Sequence, residues 1–346
     1  MGPTRWGVLS TAGIATKAVL PAIRAARNCD LLAIASRKQE RAEAVALQFG
    51  VKRAYGSYDE LLADPEIDVV YNPLPNHLHV PLTLKALQAG KHVLCEKPLA
   101  MTAADAISVA EAAAKAPRLV GEAFMTCHHP QWLRARELLR AGRICTPAAI
   151  QALFSYRNTD PSNVRNQAEI GGGGLYDIGC YAIRAGRWFF ETEPEAVSVT
   201  MDRDPVFGTD RTTSGVVRFP GGAQLTFTVA TQSALAQQMT ILGTDGFLIF
   251  DAPFNCPSDH AAQLIFDDGT DLLESGRRIE VIPPADQYAL QLEDFARSVQ
   301  EGAPLATDAA DAVRNAAAVE ALVGAAASGR WEPVASRSGP CPNTIN

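Results

Sequence analysis

Arg5-Trp6-Gly7-Val8-Leu9 runs straight into Ser10-Thr11-Ala12-Gly13-Ile14-Ala15, an apolar segment followed by a turn of small residues. The first part suits a buried strand, and the helical spacing of residues 15–27 suits a helix behind it. In a dinucleotide-binding unit the turn between them reads GxGxxG. Small residues there let the backbone approach a pyrophosphate at the helix N-terminus. The three glycine positions hold Ser10, Ala12 and Ala15 in this chain. Taken alone, that turn is a weak signal.

Its context is stronger. Apolar strands at 31–36, 53–55, 68–72, 92–96 and 119–124 alternate with helical patterns over the first 125 residues. Gly50 and Gly90 are stop signals, and Ser57/Glu60 and Thr102/Asp105 have capping spacing. Such alternation predicts parallel strands joined by right-handed crossovers, a doubly wound sheet over residues 1–125. Residues 126–346 follow a different pattern. A helix is expected at 130–141, a strand at 148–156, a polar loop at 157–167, and a helix from the glycines 171–174 to 190. Strands are expected at 196–201, 214–219, 223–230, 239–242 and 246–250, then helices at 287–301 and 308–327 and a loose tail from Ser336. The second half therefore predicts an α+β domain on a mainly antiparallel sheet.

Composition narrows the function. The 346 residues suit about two domains. With 31 Lys plus Arg against 38 Asp plus Glu, the net charge of −7 argues against a nucleic-acid or anionic-membrane surface. No apolar run approaches the roughly 18 residues of a membrane span, and residues 1–16 carry no secretory pattern. Seven cysteines without CxxC pairs read as reduced thiols in the cytoplasm.

Several segments could carry chemistry. After the second strand, where an NAD enzyme places a carboxylate, stand Ser36, Arg37 and Lys38. A hydroxyl and two cations suit a ribose 2′-phosphate. Asn72-Pro73-Leu74-Pro75-Asn76-His77 and Cys95-Glu96-Lys97-Pro98 end the fourth and fifth strands, where open α/β sheets bind ligands. A lysine there could polarise a substrate oxygen or depress a neighbour's pKa. Of His77 and His79, His77 is placed to line the site. Cys127-His128-His129 has no second cluster to complete a metal site, so no metal is expected. Arg157 and Arg165 could reach substrate hydroxyls from the polar loop, and Trp132 and Trp188 read as packing.

Residues 6–15, 71–79, 89–99 and 171–181 together resemble the glucose–fructose oxidoreductase/inositol dehydrogenase (Gfo/Idh/MocA) family. The likeness is greatest to its dihydrodiol, D-xylose and glucose–fructose branch. Glu96-Lys97-Pro98 is the most specific mark and Gly173-Gly174-Leu175-Tyr176-Asp177-Ile178-Gly179-Cys180-Tyr181 the second. The resemblance implies that Lys97 is the catalytic lysine and Tyr181 the acid/base, with Asp177 holding the substrate hydroxyl or the lysine. Asp177 and Tyr181, four apart, would share a helix face. A tyrosine near pKa 10 is a poor base at neutral pH, and an adjacent ammonium favours its phenolate. It further implies an NADP site at Ser10, Thr11, Ala12, Gly13, Ile14, Ser36, Arg37, Lys38, Pro73, Asn76, His77, Glu96 and Lys97. Substrate contacts are implied at Tyr156, Arg165, Asp177 and Tyr181, with a cis Lys97–Pro98 bond and a homodimer through the C-terminal sheet. The expected reaction is NADP-dependent oxidation of a sugar or polyol, foremost C1 of an aldopyranose to the lactone. A ketose or anhydro-sugar reductase, a trans-dihydrodiol dehydrogenase and a non-catalytic NADP sensor are the alternatives.

Overall fold

The computed structural model describes residues 2–335, so the expected tail from Ser336 lies outside the described residues. Two compact units emerge: residues 2–128 with Asp286–Val313, and residues 129–285 with 314–335.

In the first unit, β1 (Thr4–Leu9), β2 (Cys29–Ala35), β3 (Arg53–Tyr55), β4 (Val69–Asn72), β5 (His92–Glu96) and β6 (Val120–Ala123) form one sheet. Its order is β3-β2-β1-β4-β5-β6, and every neighbouring pair is parallel. The order reverses between β1 and β4, which opens a crevice at the carboxyl ends of those strands. The punctuation works as expected. Gly50 closes the helix Gln39–Phe49 at φ 65°, a left-handed conformation that costs glycine little. Ser57 Oγ accepts from Glu60 N at 3.2 Å and Thr102 Oγ1 from Asp105 N at 3.1 Å, each satisfying a helix N–H that has no partner within its helix.

Two helices differ from the sequence pattern. The one expected over 15–27 begins as a π-helical turn, Ala15–Val19, and becomes α-helical only at Leu20–Ala25. Pro21 offers no N–H to Lys17, so a regular ladder cannot run through it. The one expected over 77–89 splits into a 3-10 turn, Asn76–Leu78, and the α-helix His79–Gln88. A third difference concerns partnership. The helix Gln287–Glu301, which follows the expected second-domain start at 126, belongs to the first unit. Its stripe of Leu292, Phe295 and Ala296 is buried, with the Phe295 ring 5.7 Å from Trp6. Burial of Phe295 contributes about 1.5–3 kcal/mol by area. Periodicity announces an apolar face but not the surface that will cover it.

The second unit is built on nine strands: β7 (Pro147–Arg157), β8 (Ala196–Arg203), β9 (Asp210–Arg218), β10 (Gln224–Ala230), β11 (Gln232–Gly243), β12 (Gly246–Phe250), β13 (Ala262–Asp267), β14 (Arg278–Ile282) and β15 (Glu332–Pro333). They lie in the order β14-β13-β12-β11-β7-β10-β9-β8-β15, and only β7 and β10 pair in parallel. β11 runs 12 residues, with an irregularity between Gln232 and Ala236. Only residues 239–242 are strand-like in sequence, because Gln232 to Gln238 alternates poorly. Helices Pro130–Arg140 and Cys180–Phe190 cover one face of this sheet. Aromatic pairs Phe189–Phe250 and Phe190–Phe219 seal that contact, with centroids 5.5 and 4.9 Å apart. Trp132 and Trp188 are core residues, as expected: Trp132 Nε1 donates to Pro253 O at 2.6 Å, and Arg136 stacks 4.1 Å over Trp188.

The six described cysteines form no disulfide with one another, and among the described residues no helix is long and apolar enough to cross a membrane. Nor do the described residues hold three or more metal-ligating groups together. The adjacent histidines diverge: His128 Nδ1 lies 3.3 Å from Asp294, while His129 caps Pro130–Arg140 by accepting from Gln131 N. Burial pushes the His129 ring down to about 4, so it is the neutral acceptor a cap requires.

Candidate active site

The first unit concentrates its expected site residues at the carboxyl ends of β1, β2, β4 and β5. After β1, Ser10 takes φ 100°, a region that favours glycine, at the first glycine position of the fingerprint. A Cβ built on Gly13 would meet nothing within 4 Å, so the turn opens onto free space. After β2, Ser36 is buried and its Oγ faces Lys38 N at 3.5 Å. The side chains of Arg37 and Lys38 are exposed and make no hydrogen bond or ion pair among the described residues. Two cations with no carboxylate paired to them sit poorly at the positive end of the helix Gln39–Phe49, so a bound phosphate would relieve an existing mismatch.

After β4, Asn72 is fully buried and ties the loop to the next helix, its Nδ2 donating to His79 O at 3.1 Å. His77 lies on the 3-10 turn, and its Nδ1 is buried without a protein partner. His79 instead is structural. Its ring nitrogens lie 2.8 Å from Pro98 O and 2.6 Å from Leu74 O, so the ring is wedged between the β4 and β5 loops, and the neutral imidazole donates its one N–H to one of these carbonyls. Burial holds its pKa down to about 4 against the pull of both carbonyls, helped by the nearby Lys97 ammonium.

The Lys97–Pro98 bond is cis. Glu96 accepts from Tyr71 Oη at 2.5 Å, and burial raises the Tyr71 phenol well above its usual range. Leu99 N donates to Glu122 Oε1 at 2.8 Å. Lys97 thus precedes a segment held at two successive residues, by His79 at Pro98 and by Glu122 at Leu99. Sequence reasoning missed both clamps. Glu122 left one trace, a lone carboxylate in the short apolar strand β6. The open β1 turn, the uncompensated cations and the orphan His77 nitrogen fit a phosphorylated dinucleotide.

The second unit brings Tyr156, Arg165 and Asp177 together. Asp177 Oδ2 accepts from Tyr156 Oη at 2.6 Å and from Arg165 Nε at 2.8 Å. Burial raises the Tyr156 pKa, and the Asp177 carboxylate raises it further, so this phenol is a donor and not a base at neutral pH. Both neighbours engage one oxygen of Asp177, Oδ2, and so orient its carboxylate. The shared face also has a more complex origin, since Asp177 lies on a π-helical turn, Leu175–Gly179, and Tyr181 on the α-helix Cys180–Phe190. Tyr181 is 5% exposed, its ring 5.9 Å from Phe154 and 5.8 Å from Phe254. Those two phenylalanines stack at 5.2 Å with an interplanar angle of 8°. Arg157 is exposed at the end of β7.

Residues 4–124 match the oxidoreductase family with an NAD-binding Rossmann fold, and residues 132–249 match the GFO/IDH/MocA C-terminal domain. The chain belongs to the GFO/IDH/MocA oxidoreductase family. It is 43% identical over 334 residues to an oxidoreductase of Rhizobium meliloti, covering 96% of this chain and all of that protein. D-xylose 1-dehydrogenase (NADP(+)) 2 of Haloferax volcanii is 37% identical, covering 94% of this chain and 98% of that enzyme. Among solved structures, a 3-ketoreductase of Actinomadura kijaniata in complex with NADP and TDP-benzene superposes with a TM-score of 0.87. It is 30% identical, over 94% of this chain and 98% of that one. The GFO/IDH/MocA assignment accounts for the two sheets.

Proposed function

We propose that this GFO/IDH/MocA protein oxidises a carbinol of a sugar or polyol with NADP, foremost C1 of an aldopyranose, giving a lactone. The observation that carries this reading is the Tyr156–Asp177–Arg165 cluster one helical turn before Tyr181. Such a carboxylate, oriented by two donors, is a strong acceptor for a substrate hydroxyl, and a hydrogen bond to a charged group contributes about 1.5–3 kcal/mol. When bound, NADP supplies the hydride acceptor for the carbinol carbon. Tyr181 takes the hydroxyl proton, and the Lys97 ammonium favours both the phenolate and the developing alkoxide. Asp177 orients the sugar. The D-xylose dehydrogenase relative supports the substrate class, whereas the 3-ketoreductase supports the opposite direction, reduction of a keto-sugar. Steady-state rates in both directions, over aldoses, polyols, keto-sugars and dihydrodiols with NADP or NADPH, decide between them. Tight NADP binding with no turnover on any of them would overturn the catalytic reading in favour of a sensor.

Ser36, Arg37 and Lys38 would hold the 2′-phosphate. Arg37→Asp places a like charge there and is expected to weaken NADP binding by about tenfold or more, roughly 1.4 kcal/mol, with NAD binding unchanged. Calorimetry with both dinucleotides reads this directly. Equal wild-type affinity for NADP and NAD would remove the assignment.

The lack of a disulfide among the six described cysteines supports a reducing, cytoplasmic setting. A homodimer through the uncovered face of the nine-stranded sheet is also part of the proposal. That face carries a shallow groove of about 580 Å³ lined by Ser198, Ser214, Thr226, Thr228 and Gln238 among others, small and uncharged side chains that a second copy can cover without burying charge. Sedimentation should return a dimer for the wild type and a monomer for Thr226→Lys/Thr228→Lys. A wild type that stays monomeric at about 10–100 μM, the range of a weak complex, would refute it.

A further inference from the structure

The reaction as described leaves two features of the second unit unused: the glycines 171–174 and a buried aspartate, Asp210, at the start of β9. We propose that Asp210 is a positioning residue that sets the register of the helical turn carrying Asp177 and, behind it, Tyr181. The proposal rests on the reading that those two residues serve the reaction.

Asp210 is 4% exposed, and its Oδ2 accepts from Leu175 N and from Thr213 Oγ1, both at 2.7 Å. Leu175 is the first residue of the π-helical turn Leu175–Gly179. Its N-cap, Gly174, has no side chain, so the turn lacks the local oxygen that satisfies an N–H at most helix starts. Asp210 supplies that oxygen from 35 residues away. A carboxylate at this end also meets the positive pole of the helical backbone. Burial pushes the Asp210 carboxyl up, opposed by the bonds from Thr213 and Leu175. A carboxylate kept in so dry a place is compensated by those two donors.

The glycines are what allow the approach. A Cβ on Gly173 would overlap Asp210 Oδ1, and Gly173 has φ 121°, outside the usual range of L-residues. On the other side, a Cβ on Gly172 would meet Arg165 O and Gln167 O at 2.7 Å each. Those carbonyls accept instead from the glycine backbone: Gly173 N reaches Arg165 O and Gly172 N reaches Gln167 O, both at 2.9 Å. Gly173 O then accepts from Asp177 N at 3.1 Å. The run is therefore held between Asp210 and the loop whose Arg165 side chain binds Asp177. Asp210 fixes the backbone of that turn, and Tyr156 and Arg165 fix the Asp177 carboxylate. Asp210 touches none of the reacting groups.

The test compares Asp210→Ala, Asp210→Asn and Thr213→Val on the full chain, with kcat expressed per folded molecule counted by calorimetric titration with NADP. Asp210→Ala leaves Leu175 N–H without its acceptor, and kcat should fall about 10- to 100-fold, the scale of an ångström-level misplacement. NADP affinity should be unchanged, since the residues proposed to bind it lie in the other unit. Asp210→Asn keeps an amide oxygen for both donors and should restore most of kcat, a rescue that a purely stabilising role would show in melting temperature only. Thr213→Val removes one donor and guards against an Asp210→Ala that does not fold; its kcat should fall by about fivefold, the worth of one hydrogen bond. Wild-type kcat and KM in Asp210→Ala, no rescue by Asp210→Asn, or an unchanged Thr213→Val would each overturn the proposal. Tyr181→Phe is measured in the same series. Full activity there overturns the functional reading and this proposal with it, whereas an inactive Tyr181→Phe beside a fully active Asp210→Ala overturns this proposal alone.

Discussion

Tyr181→Phe lowers turnover by about two or more orders of magnitude, the usual scale for loss of a positioned acid/base, and leaves NADP affinity unchanged. The substitution removes one oxygen and nothing else. The ring keeps its contacts with Phe154 and Phe254, so the helix Cys180–Phe190 keeps its seat. Tyr156 cannot take over, because its hydroxyl is committed to Asp177 and its pKa is raised. Stopped-flow and steady-state rates at saturating NADP and sugar measure the loss, and calorimetry checks the cofactor. A near-normal kcat would make Tyr181 a packing residue. His77, with its orphan ring nitrogen, would then become the candidate base.

Lys97→Met carries the second large effect, and its signature is a shift in pH dependence. An ammonium near a phenol stabilises the phenolate, the charged form, and so lowers the pH at which the phenol becomes a base. Wild-type oxidation should therefore rise with pH through an apparent pKa below about 10, the free tyrosine value. Methionine keeps the length and removes the charge. The limb should move upward and the maximum rate fall by about 100-fold or more. Any apparent pKa belongs to the coupled pair and to neither residue alone. His79 does not confuse the reading, since a ring held down to about 4 stays neutral across the range examined, about pH 6 to 10. An unmoved limb in Lys97→Met would leave Lys97 a role in positioning only and dispose of the proton relay.

Much of this was legible in the residues themselves. The alternation of apolar strands with capped helices specified a doubly wound sheet, because period and caps depend on residues within about four positions of one another. Ser57 and Thr102 cap as their spacing announces, and Gly50 turns left-handed where the helix must stop. Ser36-Arg37-Lys38 and Glu96-Lys97-Pro98 could be singled out because each is a contiguous run at a strand end. The same local logic expected strands in the second half but missed β13, β14 and β15, which are short, and most of β11, whose polar residues do not alternate.

The tertiary structure alone decided which distant groups meet. No periodicity pairs Asp177 with Tyr156, 21 residues earlier, or Leu175 with Asp210, 35 residues later. Nor does any local signal assign Gln287–Glu301 to the first sheet, or turn His79 into a clamp on Pro98. A buried polar atom must find a partner wherever packing leaves one, and that partner is set by how the sheets are ordered. Side-chain type and local spacing could be read along the chain. The contacts that orient Asp177 arise only when strands far apart in sequence are laid side by side.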